Sequence, residues 1–210
     1  MIKLACCDVS NLDLTECYKL LPEYRKEKVD FFRYKKDKLL SCGAYLLLVK
    51  LLSEKNFTKP QFKTGKYGKA YISNYDNAYF NMSHSGKMVA CAISDREVGV
   101  DIEYNDPTID LNIAKNYFYN SEYENIMNSD YPSNEFFRYW VLKESYMKYT
   151  GLGFNLDLDS FEILIDDDIK LKNNKNNLKF NLFDVEDYKL AICSKYDVDN
   201  FTLYYPDDLI

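Results

Sequence analysis

Hydrophobic and polar positions along this chain fall into short alternating runs, then a helical period, and then repeat that order once more. Residues 2–7 read as an opening strand. A helical stretch begins at Pro22, where the missing N–H of proline costs little, and continues to residue 52 as two helices. Its apolar run over 39–52 is too short to span a bilayer and carries Lys50, so it reads as a core helix. The chain then turns into loop around residues 65–69. Strands follow at 78–82, 87–94 and 98–103, the middle one a continuous apolar run. Pro107 breaks the pattern ahead of a helix near 111–118. Another starts from Ser121, with Glu124 at the capping-box position. A long helix over 133–149 stops at Gly151. Beyond residue 160 the spacing predicts strands at 161–165, 178–183, 189–194 and 201–205, with a polar hairpin over 166–177.

Each half thus combines helices with an antiparallel meander, and the seam falls near residues 95–98. The expected architecture is α+β, with two intimately packed halves at 1–97 and 98–210. A chain of 210 residues, 47% hydrophobic and 29% charged, has ample material for such a core.

The net charge of −6 argues against a broad nucleic-acid surface. Positive charge is nevertheless dense over 25–38, where seven basic residues face three acidic ones. That window fits either a solvated helix face or a phosphate-facing patch. Six cysteines occur with no C-x-x-C pair and a single histidine, His84, which disfavours zinc. Several lie inside apolar runs, as small hydrophobes do in a reducing cytosol. Asp8 interrupts the short apolar start, so no signal peptide is expected.

Three stretches carry candidate chemistry. In Gly99-Val100-Asp101-Ile102-Glu103, strand alternation puts both carboxylates on one face and Ile102 in the core. That suits a hard-cation edge, where Mg²⁺ takes one or two carboxylates plus phosphate oxygens and waters. It equally suits an edge strand charged against aggregation. In the long helix, Phe137, Trp140, Val141, Glu144 and Lys148 form one stripe that begins apolar and ends with an acid and a base. Glu144 in line with the core must be paired, neutral or metal-bound; the plain alternative is an exposed Glu–Lys pair at i,i+4. In Phe80-Asn81-Met82-Ser83-His84-Ser85-Gly86, a polar turn joins two strands and can donate to phosphate oxygens, or simply stabilise itself. A Ser-His-Asp nucleophile is disfavoured, because adjacent Ser83 and His84 point to opposite faces.

Taken in this order, the three stretches resemble the 4′-phosphopantetheinyl transferase superfamily, specifically its long, Sfp-like (surfactin-synthetase-activating) type. That family shows Phe-Asn-x-Ser-His-Ser, then Gly-Val/Ile-Asp-x-Glu, then Trp-x-x-Lys-Glu-Ser/Ala-x-x-Lys, all intact here over 80–85, 99–103 and 140–148. Tyr67-Gly68-Lys69 resembles its Gly-Lys-Pro element, with Ala70 in place of proline. The likeness runs from about Pro22 to Ser194. It implies two similar α/β halves with antiparallel sheets packed about a pseudo-two-fold axis.

The resemblance also implies roles. Asp101, Glu103 and Glu144 would hold Mg²⁺, or Mn²⁺, with the pyrophosphate of coenzyme A as co-substrate. Lys148 would contact the phosphate under attack or the pantetheine arm. Lys69, Ser83 and His84 would bind coenzyme A phosphates, with some of Arg25, Lys28 and Lys38 completing the clamp. Tyr24 and Glu27 stand where relatives tend to carry basic residues. The expected reaction moves 4′-phosphopantetheine onto a serine of an acyl or peptidyl carrier protein and releases adenosine 3′,5′-bisphosphate. Glu144 is the expected general base and Glu103 the second candidate. Since carriers are usually acidic like this chain, docking needs a local apolar or basic patch, for which the aromatic segment 117–123 is a candidate. The enzyme would be a cytoplasmic monomer with no nucleic-acid or membrane partner. Two rival readings are a non-catalytic coenzyme A-binding regulator and a Mg²⁺-dependent hydrolase of nucleotide pyrophosphates.

Overall fold

Strand β1 (Lys3–Asp8) opens the chain and three helices follow it: α1 (Leu14–Lys19), α2 (Glu23–Asp30) and α3 (Lys35–Glu54). A short hairpin of β2 (Phe62–Thr64) and β3 (Ala70–Ile72) leads into a long one, β4 (Tyr79–Ser85) and β5 (Met88–Ser94). The same order then recurs. Strand β6 (Gly99–Tyr104) precedes α4 (Asn112–Tyr117), α5 (Asn120–Asn128) and α6 (Pro132–Thr150). A short hairpin, β7 (Ile163–Ile165) and β8 (Ile169–Leu171), and a long one, β9 (Lys179–Val185) and β10 (Tyr188–Ser194), complete the repeat. A last strand, β11 (Thr202–Tyr204), returns to the first sheet. These positions come from a computed structural model that describes residues 2–174 and 176–210.

The strand orders are β11-β1-β5-β4 and β6-β10-β9, so each opening strand pairs with the second strand of its long hairpin. The architecture is α+β, as expected, and its layers follow from period-two alternation. On one face of the first sheet, Val89, Cys91 and Ile93 pack with Leu47, Leu48 and Leu51 of α3. On its other face, Met88, Ala90 and Ala92 meet Val100, Ile102, Leu190 and Ile192 of the second sheet. Ala191 and Cys193 lie on the far face of that second sheet, packed with Val141 and Leu142 of α6. The order is helix, sheet, sheet, helix. β5 and β10 are covered on both sides and every residue in them is buried, which is why they read as unbroken apolar runs.

Four features differ from the sequence reading. β4 runs on to Ser85, so Ser83, His84 and Ser85 belong to the strand, and the turn is confined to Gly86, at φ 59°, and Lys87. The expected loop at 65–69 is flanked by two short strands, β2 and β3, that the spacing did not predict. Glu122, not Glu124, reaches back to the N–H of Tyr119 (3.0 Å) to cap α5. β11 pairs parallel with β1 instead of extending the second meander. Part of the expected hairpin over 166–177 is β8, and residue 175 within it lies outside the described residues. Among the described residues no helix is long and apolar enough to cross a membrane.

Two local constraints fix the position of α6. A Cβ on Gly99 would stand 2.0 Å from the Ser145 carbonyl oxygen and 2.3 Å from the Tyr149 nitrogen, so the strand touches helix backbone where only glycine fits. On another side of α6, Lys143 is fully buried and its three N–H donors are all used. They reach Glu122 (2.8 Å) and the carbonyls of Leu158 (2.8 Å) and Phe161 (2.9 Å). Glu122 in turn accepts from the backbone N–H groups of Tyr119 and Ile163. This closed knot ties α5, α6 and the entry to β7 together.

Gly99→Ala is expected to lower the unfolding free energy by at least about 2 kcal/mol, because the crowding atoms are backbone. Lys143→Met strands a buried carboxylate and is expected to cost about 3–5 kcal/mol; Lys143→Met/Glu122→Gln, which removes the charge but keeps an acceptor for the Tyr119 and Ile163 N–H groups, is expected to regain part of it. Urea denaturation of the three variants checks both; a non-additive recovery in the double variant is the signature of the pair.

Candidate active site

Strand β6 points Asp101 and Glu103 toward α6, while Val100 and Ile102 fill the core between the sheets. Trp140, Glu144 and Lys148 of α6 face them, and β4 borders the same space with Ser83 and His84. Together they line a cleft of about 280 Å³ whose apolar walls are Met82, Trp140 and Phe154. Phe154 is 79% exposed at the mouth, in the 3₁₀ turn Gly153–Asn155 that follows the left-handed Gly151 cap.

The hydrogen bonds are concentrated on Asp101, which is 1% exposed. Its Oδ1 accepts from Ser83 Oγ (2.7 Å) and from Lys148 Nζ (2.5 Å), and Lys148 also donates to Ser83 Oγ (2.8 Å). Lys148 therefore turns to Asp101 rather than forming an exposed pair with Glu144 one helical turn before it. Burial and the neighbouring Asp101 charge push the Glu103 carboxyl up to about 7. The same two causes, in that order, raise Glu144. His84 projects away from Ser83; partial desolvation, and secondarily the Lys148 ammonium, hold its pKa below the usual imidazole range.

Two carboxylate oxygens in this cluster, Asp101 Oδ2 and Glu144 Oε1, are buried without a hydrogen-bond partner. A buried, unpartnered carboxylate oxygen is costly unless a cation meets it. Among the described residues no three acidic, histidine or cysteine side chains close around one point as they stand. The donor set is nonetheless all hard oxygen, carries two open ligand atoms and faces one lysine only. It fits Mg²⁺ or Mn²⁺ completed by oxygens from outside the chain.

The remaining predicted residues lie further off. Arg25 and Lys28 line an adjoining pocket of about 200 Å³ that shares Met82 with the cleft. Arg25 donates to the Ser41 carbonyl (3.0 Å) and lies over the Tyr45 ring. Lys28 is held below the usual lysine range by desolvation and then by Arg25. Lys38 pairs loosely with Asp30 at 3.9 Å. Lys69 is brought to neither pocket: its ammonium binds Glu97 (2.7 Å) and the carbonyls of Val98 and Tyr149 (3.2 Å each), bracing the C-terminal end of α6 against the strand entering at Gly99.

Phe154 was not singled out from sequence, and Asn81 and Ser85, quoted there within a polar turn whose serines could donate to phosphate, instead accept from the edge of β6. Asn81 Oδ1 accepts the Val100 N–H (2.9 Å) and Ser85 Oγ accepts the Tyr104 N–H (3.2 Å). Polar residues at every second position of 81–85 were the available signal. Phe154 gives none, since a single aromatic after a glycine is uninformative. In the aromatic segment 117–123, Phe118 is core and stacks on Phe136 (5.5 Å), whereas Tyr117 and Tyr119 are exposed.

The family model described as 4′-phosphopantetheinyl transferase superfamily matches residues 97–193, the span from just before β6 into β10 that holds all three acids and Lys148. Over 182 residues the chain is 32% identical to 4′-phosphopantetheinyl transferase Sfp of Bacillus subtilis (strain 168), covering 82% of this chain and 81% of that protein. A second Bacillus subtilis 4′-phosphopantetheinyl transferase is 37% identical over 143 residues, which is 64% of this chain and 63% of the relative. A crystal structure of Thermotoga maritima holo-[acyl-carrier-protein] synthase aligns with 46% of this chain and 61% of its own, at TM-score 0.41 and 18% identity. With the first relative spanned over most of its length, the chain belongs to the 4′-phosphopantetheinyl transferase superfamily and to that class of enzymes.

Because Glu103 titrates near 7 in the fold against 4.5 ordinarily, the native protein binds more protons than the unfolded chain between those values. Its contribution to stability is full below pH 4.5 and is lost as pH rises through 7. Lys189, opposite Glu103 in the ladder, is engaged by Asp184 and does not relieve it. Glu103→Gln is expected to flatten the decline of metal-free stability between pH 5 and 7.5, by up to about 3 kcal/mol. Urea melts at the two pH values check this; equal declines in both proteins would contradict the assignment.

Proposed function

We propose that this protein transfers the 4′-phosphopantetheine arm of coenzyme A to a serine hydroxyl of an acyl or peptidyl carrier protein, releasing adenosine 3′,5′-bisphosphate. The observation that carries the reading is the buried acid cluster with two unpartnered oxygens beside one lysine, in a chain whose relative of near-equal span is named for this transfer.

Asp101, Glu103 and Glu144 would hold Mg²⁺, or Mn²⁺, together with the coenzyme A pyrophosphate. When bound, the cation neutralises charge that develops on the phosphate oxygens. The chain's own part is positioning and proton transfer. Glu144 takes the proton of the carrier serine: burial and the neighbouring Asp101 charge raise its pKa. Glu103 is the second candidate for that proton. Lys148, already within hydrogen-bond reach of Asp101 and Ser83, stabilises the phosphoryl group as the bond to the departing nucleotide lengthens. His84 and the basic side chains Arg25, Lys28 and Lys38 would hold the nucleotide phosphates, with Ser83 and Lys69 supporting the walls of that site. Residues 1–97 supply the β4 and basic elements and 98–210 the acids. The carrier docks along exposed Tyr117 and Tyr119, and the enzyme works as a cytoplasmic monomer.

Incubated with an apo carrier, Mg²⁺ and coenzyme A, the protein is expected to raise the carrier mass by one phosphopantetheine. Asp101→Ala should fold, judged by circular dichroism, yet lose at least about a hundredfold in rate. Coenzyme A binding without transfer to any of a panel of carriers would favour a regulator instead. Cleavage of coenzyme A in the absence of carrier would favour a pyrophosphate hydrolase.

A further inference from the structure

Strand β6 lies at the edge of its sheet, so one side of its backbone has no ladder partner. β4, the edge of the other sheet, runs alongside, but the two are joined through side chains rather than by a backbone ladder. Asn81, Ser83 and Ser85 project toward β6 from alternate positions, and His84 between them points away. Asn81 Oδ1 takes the Val100 N–H, and Ser85 Oγ takes the Tyr104 N–H.

The two serines divide their hydrogen-bonding capacity in the same way. A hydroxyl has one donor and two acceptor sites. Ser83 accepts from Lys148 and donates to Asp101 (2.7 Å). Ser85 accepts from Tyr104 N–H (3.2 Å), which leaves its own O–H for the Glu103 carboxylate beside it. Each acid of the Asp-Ile-Glu pair thus has a serine beside it, hydrogen-bonded in the case of Asp101, and the serines stand two residues apart on β4 as the acids do on β6. Asn81 does the edge-sealing part of this task and touches neither acid.

We propose that Ser85 is a positioning residue for Glu103: by clasping the Tyr104 N–H and the Glu103 carboxylate at once, it fixes the direction in which the second acid meets a divalent cation. The inference rests on the reading of Asp101, Glu103 and Glu144 as cation ligands. Outer partners of this kind typically change metal affinity by 10–100-fold.

The test is Mn²⁺ binding by isothermal titration calorimetry, without coenzyme A or carrier, on the wild type, Ser85→Ala, Ser85→Thr and Asn81→Ala. Ser85→Ala is expected to weaken Mn²⁺ by about tenfold, and Ser85→Thr to restore binding to within about twofold of wild type. Asn81→Ala should lower the melting temperature comparably to Ser85→Ala while leaving Mn²⁺ affinity unchanged. Should Ser85→Ala not fold, Ser85→Cys, a near-isostere with a weak donor, carries the same expectation. Wild-type affinity in Ser85→Ala, or equal weakening in Asn81→Ala, overturns the proposal and leaves the cation site standing. A wild type that binds no Mn²⁺, and still none when coenzyme A is added, overturns both.

Discussion

Three carboxylates, those of Asp101, Glu103 and Glu144, share one largely buried cleft with a single ammonium, that of Lys148. Like charges removed from water raise one another's pKa and oppose folding, so the surrounding structure must hold them together against that repulsion. Gly99 lets α6 approach β6 at backbone contact. The Lys143–Glu122 knot fixes the helix from another side. Ser83 reaches across from the other sheet to Asp101, and Ser85 to the Tyr104 N–H next to Glu103. Each of these devices is polar or glycine-based where an ordinary core would use an aliphatic side chain.

The arrangement also explains why the site sits where the two sheets meet. Because the repeat places a strand and a long helix in each half, the second strand–helix pair, β6 with α6, carries the acids. The edge of the first sheet, β4, supplies the closing wall. Neither half alone completes the cleft, since Ser83 and His84 come from one and Asp101, Glu103, Glu144 and Lys148 from the other. The adjoining pocket with Arg25 and Lys28 extends the same groove into the first half through Met82. The groove thus has an acid cluster at one end and basic residues at the other.

Much of this was legible in the sequence because it depends on period. Alternation placed Asp101 and Glu103 together, and the stripe from Phe137 to Lys148 put Glu144 in line with the core; the family resemblance joined the two. The continuous apolar runs of β5 and β10 reflected burial on both faces. What escaped was whatever depends on a partner distant in the chain. Ser83 to Ser85 read as a turn because serine and the following glycine are common there; the true partners of the two serines are groups of β6, some twenty residues on. β11 was assigned to the second meander, since no local signal tells a strand to return to β1. Lys143 read as one more residue of a helix until its three acceptors from α5 and the loop before β7 were seen around it.

The most direct measurement is a crystal of the protein grown with Mn²⁺ and coenzyme A, examined in an anomalous difference map. One peak bounded by the carboxylates of Asp101, Glu103 and Glu144, with the Lys148 ammonium beside it, is the expected result. A well-ordered coenzyme A with no peak at those carboxylates, or with its peak held by other residues, would contradict the assignment of the cluster as a cation site.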